Sequence, residues 1–106
     1  MAILWLDDIR DPNEHGYVGA VWARTYEEAV AALRTGTISR CSLDHDLNVS
    51  QTLGTYTEGE RTGYHVLCFL EENPQYLPPL GIRVHSMNPA GRYRMERLVE
   101  KLYSTY

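Results

Sequence analysis

An unbroken apolar run, Ala2-Ile3-Leu4-Trp5-Leu6, stops abruptly at Asp7-Asp8. A run of that length with no polar alternation predicts a strand covered on both faces, as in a parallel sheet. Ala20 to Arg24 is a second, weaker strand. Thr25 then caps a helix, with Glu28 completing a Thr-x-x-Glu capping box; Tyr26, Ala29, Val30 and Leu33 form its apolar stripe, and Gly36 ends it. Arg40 to Leu43 is the third strand, running into Asp44-His45-Asp46. The polar stretch from Asn48 to Arg61 has no period and reads as a long loop. Thr62 or Gly63 opens a helix carrying Val66, Leu67, Phe69 and Leu70, stopped by Asn73-Pro74. Gly81 to Val84 is the fourth strand, ending in His85-Ser86. Asn88 as N-cap and Pro89 at the first helical position open the last helix, whose stripe is Met95, Leu98, Val99 and Leu102.

Strands alternating with helices predict an α/β fold with a mostly parallel, four-stranded sheet. Joining parallel strands takes a dozen or so residues, usually helical. The segment Ile9 to Gly19 holds Pro12, Gly16 and Gly19, so the first helix is shortened or missing.

The chain has 106 residues, 43% hydrophobic and 23% charged. That suits one domain, residues 1–106, burying roughly two-thirds of its unfolded surface. Apolar content of this size excludes disorder. No stretch approaches the ~18 apolar residues of a membrane span, and Asp7-Asp8 interrupts any signal-peptide core. Cys41 and Cys68 stand apart among apolar neighbours, as small buried hydrophobes of a reducing compartment. A cytoplasmic protein without a membrane partner is the expectation.

Charge is divided along the chain. Up to Ile82, five arginines face twelve acidic residues; beyond it, four arginines and Lys101 face only Glu96 and Glu100. An acidic chain is a poor partner for duplex DNA, which needs a broad basic stripe. A compact phosphate-bearing ligand fits better. The oligomeric state is not encoded in any pattern here.

In open parallel sheets, ligands bind beyond the carboxyl ends of the strands. Three strand ends here carry ionisable groups: Asp7-Asp8, Asp44-His45-Asp46, and His85-Ser86 followed by Asn88. Each alone has a plainer reading. An acidic pair usually caps or turns, a single histidine is usually structural, and Asn88 caps its helix in any case. Their coincidence at the ends of apolar strands points to one shared crevice. Clustered carboxylates need a cation or a proton among them. That favours a divalent metal held by Asp7, Asp8 and Asp44: Mg²⁺ or Mn²⁺ if carboxylates dominate, Zn²⁺ if histidines coordinate. Among Asp44, His45, Asp46 and His85, the two imidazoles are suited to accept and donate protons in phosphodiester cleavage. Ser86, Asn88, Arg10, Arg92, Arg94 and Thr62 are candidates to hold the phosphate. Tyr56 and Tyr64 could stack on a base, although tyrosines commonly seal a small domain's edge.

The stretches Leu4 to Pro12, Ser42 to Leu47, Thr62-Gly63 and Val84 to Gly91 resemble the cyclic-phosphate processing receiver-like family, a divergent response-regulator receiver fold. The resemblance spans nearly the whole chain. It implies a small receiver-like three-layer sandwich, with the receiver's acidic pair on Asp7 and Asp8, its phosphoryl-accepting position on Asp44, and its hydroxyl on Ser86. Two features depart from a signalling receiver: Lys101, the single lysine, lies in the last helix, and no fifth strand is evident. His45, Asp46, His85 and Asn88 are added. The expectation is a metal-assisted phosphoesterase acting on a cyclic phosphate of a nucleotide or RNA end. The alternatives are a non-catalytic protein that sequesters a nucleotide and, behind it, a phospho-accepting receiver.

Overall fold

The computed structural model describes residues 2–45, 62–86 and 89–104. Within them, four strands form one all-parallel sheet: β1 (Ala2–Leu6), β2 (Val21–Ala23), β3 (Ile38–Leu43) and β4 (Ile82–Val84), in the order β2-β1-β3-β4. Three helices complete the chain: α1 (Tyr26–Arg34), α2 (Gly63–Glu72) and α3 (Pro89–Ser104). This is the receiver-like α/β fold expected from the alternation of elements.

Right-handed crossovers place α1 and α2 on the same face of the sheet, because β2→β3 and β3→β4 run in the same direction across it. The helices pack side by side, α1 on α2 and α2 on α3. The β1→β2 connection runs the other way and covers the opposite face. A single 3-10 turn, Pro12–His15, stands there in place of the first helix. Asp11 caps it and Gly16, at φ +86°, ends it, so Pro12 and Gly16 confine the helix to one turn. The third layer is therefore a thin cover of irregular chain.

Alternation along the strands sorts the side chains. Leu4, Leu6, Cys41, Leu43 and Val84 join Ala29, Val30, Leu33, Val66, Leu67, Leu70, Met95 and Leu102 in the core under the helices. Leu98, Val99 and Tyr26 pack against that core, so the apolar stripe expected of each helix faces inward. Trp5 lies on the other face, where His15 stacks against it and Tyr17 packs at a tilt, with ring centroids 5.7 and 5.0 Å away. Tyr17 in turn accepts a hydrogen bond from Arg83 at 3.2 Å. Cys41 is buried, which pushes its thiol up to about 12; Cys68 is half-buried, and both are free thiols. No described helix is long and apolar enough to cross a membrane.

Helix starts follow their caps. Thr25 accepts from the Glu28 amide, as the capping box requires, but the Glu28 carboxylate reaches the amide of Arg24 instead of Thr25. At α2, Thr62 accepts from the Tyr64 amide while its own amide donates to His65 Nδ1 at 2.9 Å. Histidine takes the reciprocal place usually held by Glu or Gln. The expected N-cap Asn88 and the stretch from Asp46 to Arg61 lie outside the described residues.

Leu6, Leu43 and Val84 form one register row across the sheet, directly beneath the polar strand ends. Leu43 is fully buried. Leu43→Ala is expected to cost about 2–5 kcal/mol in urea unfolding. A loss under about 1 kcal/mol would show that this row does not anchor the sheet.

Candidate functional site

The ladder does not end where the strands do. The amides of Asp7, Asp44 and His85 donate to the carbonyls of Ala23, Leu6 and Leu43 at 3.1, 2.9 and 3.0 Å. Each of the three is thus held one register step beyond the apolar row. Side chains in one row of a parallel sheet point the same way. One ligand atom from each, two carboxylate oxygens and an imidazole nitrogen, lie within 4.8 Å of one another.

Asp7 is almost fully buried and bonded through both oxygens. Oδ1 accepts from the amides of Ile9 and Arg10 at 2.9 and 3.0 Å; Oδ2 faces Arg10 Nη1 at 3.3 Å and His85 Nε2 at 3.1 Å. Burial alone would raise this carboxyl. The two amides and His85 outweigh it and hold Asp7 below the usual carboxylate value. Asp44 has fewer donors. Its Oδ1 accepts from the His45 amide at 2.8 Å, and Oδ2 is 4.0 Å from Arg10 Nη1. Burial and the charge of Asp7 push it up to about 6, with a smaller push from Asp8. Burial also draws His85 below its ordinary value, only partly offset by Asp7, which favours the neutral ring.

Trp5 and Ser42 fix His85. The imidazole lies parallel to the indole, centroids 4.2 Å apart and planes 8° apart, and its Nδ1 is 2.7 Å from Ser42 Oγ. Trp22 and Arg24 fix the acidic turn from β2. Trp22 Nε1 donates to the Asp7 carbonyl at 2.7 Å, and Arg24 donates twice to the Asp8 carbonyl while lying over the Trp22 ring. Sequence reasoning placed these four only in strands and gave none of them a role at the site. A signal for Ser42 was present: it sits two residues before Asp44, hence on the same strand face.

His45 sits at the junction of two helix starts. Its carbonyl accepts from the Gly63 amide at 3.1 Å, and its ring rests on α3 so closely that a Cβ on Gly91 would fall 2.6 Å from its Cγ. A Cβ on Gly63 would collide with the Asp44 carbonyl. Both glycines are there for close approach. Ser86 is buried beside His85.

The expected metal set is Asp7, Asp8 and Asp44; the three side chains that converge are Asp7, Asp44 and His85. Asp8 is buried nearby and its charge reaches Asp44, but His85 supplies the third converging atom. Arg10 turns inward onto Asp7 and Asp44 as their counter-charge. Thr62 is engaged in capping α2. Arg92 pairs with Glu96 on the exposed side of α3 and lines a groove of about 360 Å³ along β4 with Ile82, Arg83 and Val99. Arg94 is exposed on α3, and Tyr64 packs against the core. Asp46, Asn88 and Tyr56 lie outside the described residues.

The sheet order and the acidic strand ends are those of a receiver, while the shortened first connection departs from one. Residues 2–101 match the family model of the cyclic-phosphate processing receiver domain. The chain belongs to that family. Neither the curated proteins nor the solved structures contain a match to it. Asp7 and Asp8 follow β1 and Asp44 follows β3, and the single lysine, Lys101, is on α3 bound to Glu71 at 2.8 Å. Arg10 and His85, not a lysine, are what the receiver frame sets against its carboxylates here.

The raised Asp44 carboxyl has a sign. The folded protein holds that proton more tightly than the unfolded chain, whose aspartate titrates near 3.9, so metal-free stability falls as pH rises from about 4 to about 6. The loss is on the order of 3 kcal/mol. Thermal unfolding in chelator across that range is expected to show it in the wild type. Asp44→Asn is expected to remove it and to melt higher at pH 7; an equal slope in both proteins would contradict the assignment.

Proposed function

We propose that this protein is a metal-assisted phosphoesterase that opens a cyclic phosphate on a nucleotide or an RNA end. The reading is carried by one observation: two carboxylates and a neutral imidazole converge in a single buried row whose negative charge is incompletely balanced. It is supported by membership in a family described by cyclic-phosphate processing.

The donor set suits a divalent cation. Asp7 and Asp44 supply hard oxygen donors, His85 supplies nitrogen through Nε2, and Asp8 adds charge behind them. Two oxygens and a nitrogen admit Mn²⁺ or Zn²⁺ as readily as Mg²⁺. A cation held there would polarise the phosphate and lower the pKa of a bound water. His45 then takes the proton-transfer role, because its carbonyl is held by Gly63 and its ring rests on Gly91 while staying partly exposed. Asp46 stands next to it in the chain and is assigned to orient it. Attack of water forms one P–O bond and breaks the ester bond of the ring; the leaving oxygen takes the proton, giving a phosphomonoester. Arg10, Ser86, Asn88 and Thr62 are assigned to the phosphate oxygens; a cation held by Asp7 and Asp44 would free Arg10, now their counter-charge, for that role. Arg92, from its groove along β4, is the outermost of the candidates.

Lys101 weighs against a phospho-accepting receiver, since it is 71% exposed and bound to Glu71. Sequestration without catalysis differs in outcome: the nucleotide would be recovered intact from a stoichiometric complex.

Purified protein with Mg²⁺, Mn²⁺ or Zn²⁺ is to be offered 2′,3′- and 3′,5′-cyclic nucleotides and an RNA ending in a cyclic phosphate. Chelator-sensitive ring opening of at least one is expected. His45→Ala should lower kcat by about 10²–10⁴-fold with KM little changed. Folded, metal-loaded protein that turns over none of them would sink the proposal.

A further inference from the structure

Ser42 has no part in the chemistry described so far, yet it is 1% exposed and its hydroxyl is 2.7 Å from His85 Nδ1. It lies in β3, in register with Trp5 on one side and Arg83 on the other. The opposite ring nitrogen, Nε2, is 3.1 Å from Asp7 Oδ2. An ionised carboxylate only accepts, so in the singly protonated ring the hydrogen sits on Nε2 against Asp7, and Nδ1 presents its lone pair to Ser42. Ser42 must then donate. A carbonyl or a carboxylate in the same place could not do so, whereas a hydroxyl both donates and accepts.

That ambivalence matters if His85 is to bind a cation. Ligation uses the Nε2 lone pair, so the hydrogen there has to leave and Nδ1 has to gain one. We propose that Ser42 is the positioning residue that permits this exchange: it donates to Nδ1 in the metal-free protein and accepts from Nδ1–H when Nε2 holds a divalent cation. One proton departs from Nε2 to solvent and one arrives at Nδ1, so the ring is neutral before and after. The Ser42 hydroxyl rotates and loses no proton. Trp5, stacked flat on the ring, keeps both nitrogens in the same plane throughout. This inference rests on the metal reading of Asp7, Asp44 and His85 above, and it adds an outer partner of the kind that orients metal-bound histidines and tunes their affinity.

The test uses whole protein with ¹⁵N-labelled histidine, observed by long-range ¹H–¹⁵N NMR at mildly alkaline pH, with Zn²⁺ as the probe. In the metal-free wild type, His85 is expected as the Nε2–H tautomer. The Nδ1 signal should shift in Ser42→Ala and stay in place in Ser42→Thr. Zn²⁺ should invert the wild-type tautomer to Nδ1–H. Ser42→Ala should bind Zn²⁺ about 10–100-fold more weakly, with Ser42→Thr restoring affinity.

A metal-free wild type found as Nδ1–H would overturn the inference without any variant. So would Ser42→Ala that binds Zn²⁺ as tightly as the wild type, and that result would leave the metal site standing. Zn²⁺ that leaves the His85 signals untouched would instead remove the metal reading and the exchange together. The Nδ1 shift in metal-free Ser42→Ala would still report whether Ser42 is the donor.

Discussion

Register in the parallel sheet is the constraint on which the site depends. Ala23, Leu6, Leu43 and Val84 are paired across four strands, and each except Ala23 is succeeded by a site residue whose amide continues the ladder. A slip of one residue would turn Leu4 and Leu6 away from the helices and Asp7 towards them. Burying Leu6 and Leu43 contributes roughly 1.5–3 kcal/mol each, which the slipped arrangement forfeits. The apolar core under the helices thereby sets the position of carboxylates it does not touch. Chemistry at the strand ends is a consequence of packing beneath them.

The two aspartates then diverge because their donors do. Asp7 has two backbone amides, an arginine and an imidazole; Asp44 has one amide and a distant share of the same arginine. Placed side by side in a buried row, one stays ionised and the other is driven up by burial and by its neighbour. Pairs of carboxyls pushed apart in this way mark functional sites, because a fold gains no stability from keeping them together. Here the imbalance is of the sign that a cation corrects, and it sits where a receiver keeps its acidic positions.

Much of this was legible in the sequence. Unbroken apolar runs ending in acids gave strands and the edge where their ends meet. Apolar stripes, caps and glycines gave α1, α2 and α3, and the proline and glycines between Ile9 and Gly19 gave a first connection without a full helix. Asp7, Asp44 and His85 were named as neighbours before any geometry. The partners of those residues were not legible, for physical reasons. Ser42 reads as an ordinary strand serine until pairing sets it against β4, and Trp5 reads as core until alternation turns it away from the helices. Trp22 and Arg24 act through carbonyls, which are the same in every residue. The partners of the arginines were equally hidden: Arg10 and Arg92 were chosen for their charge, and a guanidinium goes to the nearest carboxylate its backbone allows. For Arg10 those are Asp7 and Asp44; for Arg92 it is Glu96, one helical turn along.

Replacing the first helix with a 3-10 turn has its own consequence. A helix on that face would cover Trp5 with aliphatic side chains; the short connection covers it with His15 and Tyr17, and Tyr17 is tied to Arg83 of β4. The indole is left with a flat surface for His85, and stacking at 8° sets the ring plane in which Nδ1 meets Ser42 and Nε2 meets Asp7. A lysine offered to the same carboxylates would contribute a fixed positive charge and three donors, suited to a phosphorylated aspartate but unable to ligate. An imbalanced acidic row facing a neutral imidazole is suited to a cation instead. The short first connection and the histidine at the end of β4 therefore meet at one ring, Trp5.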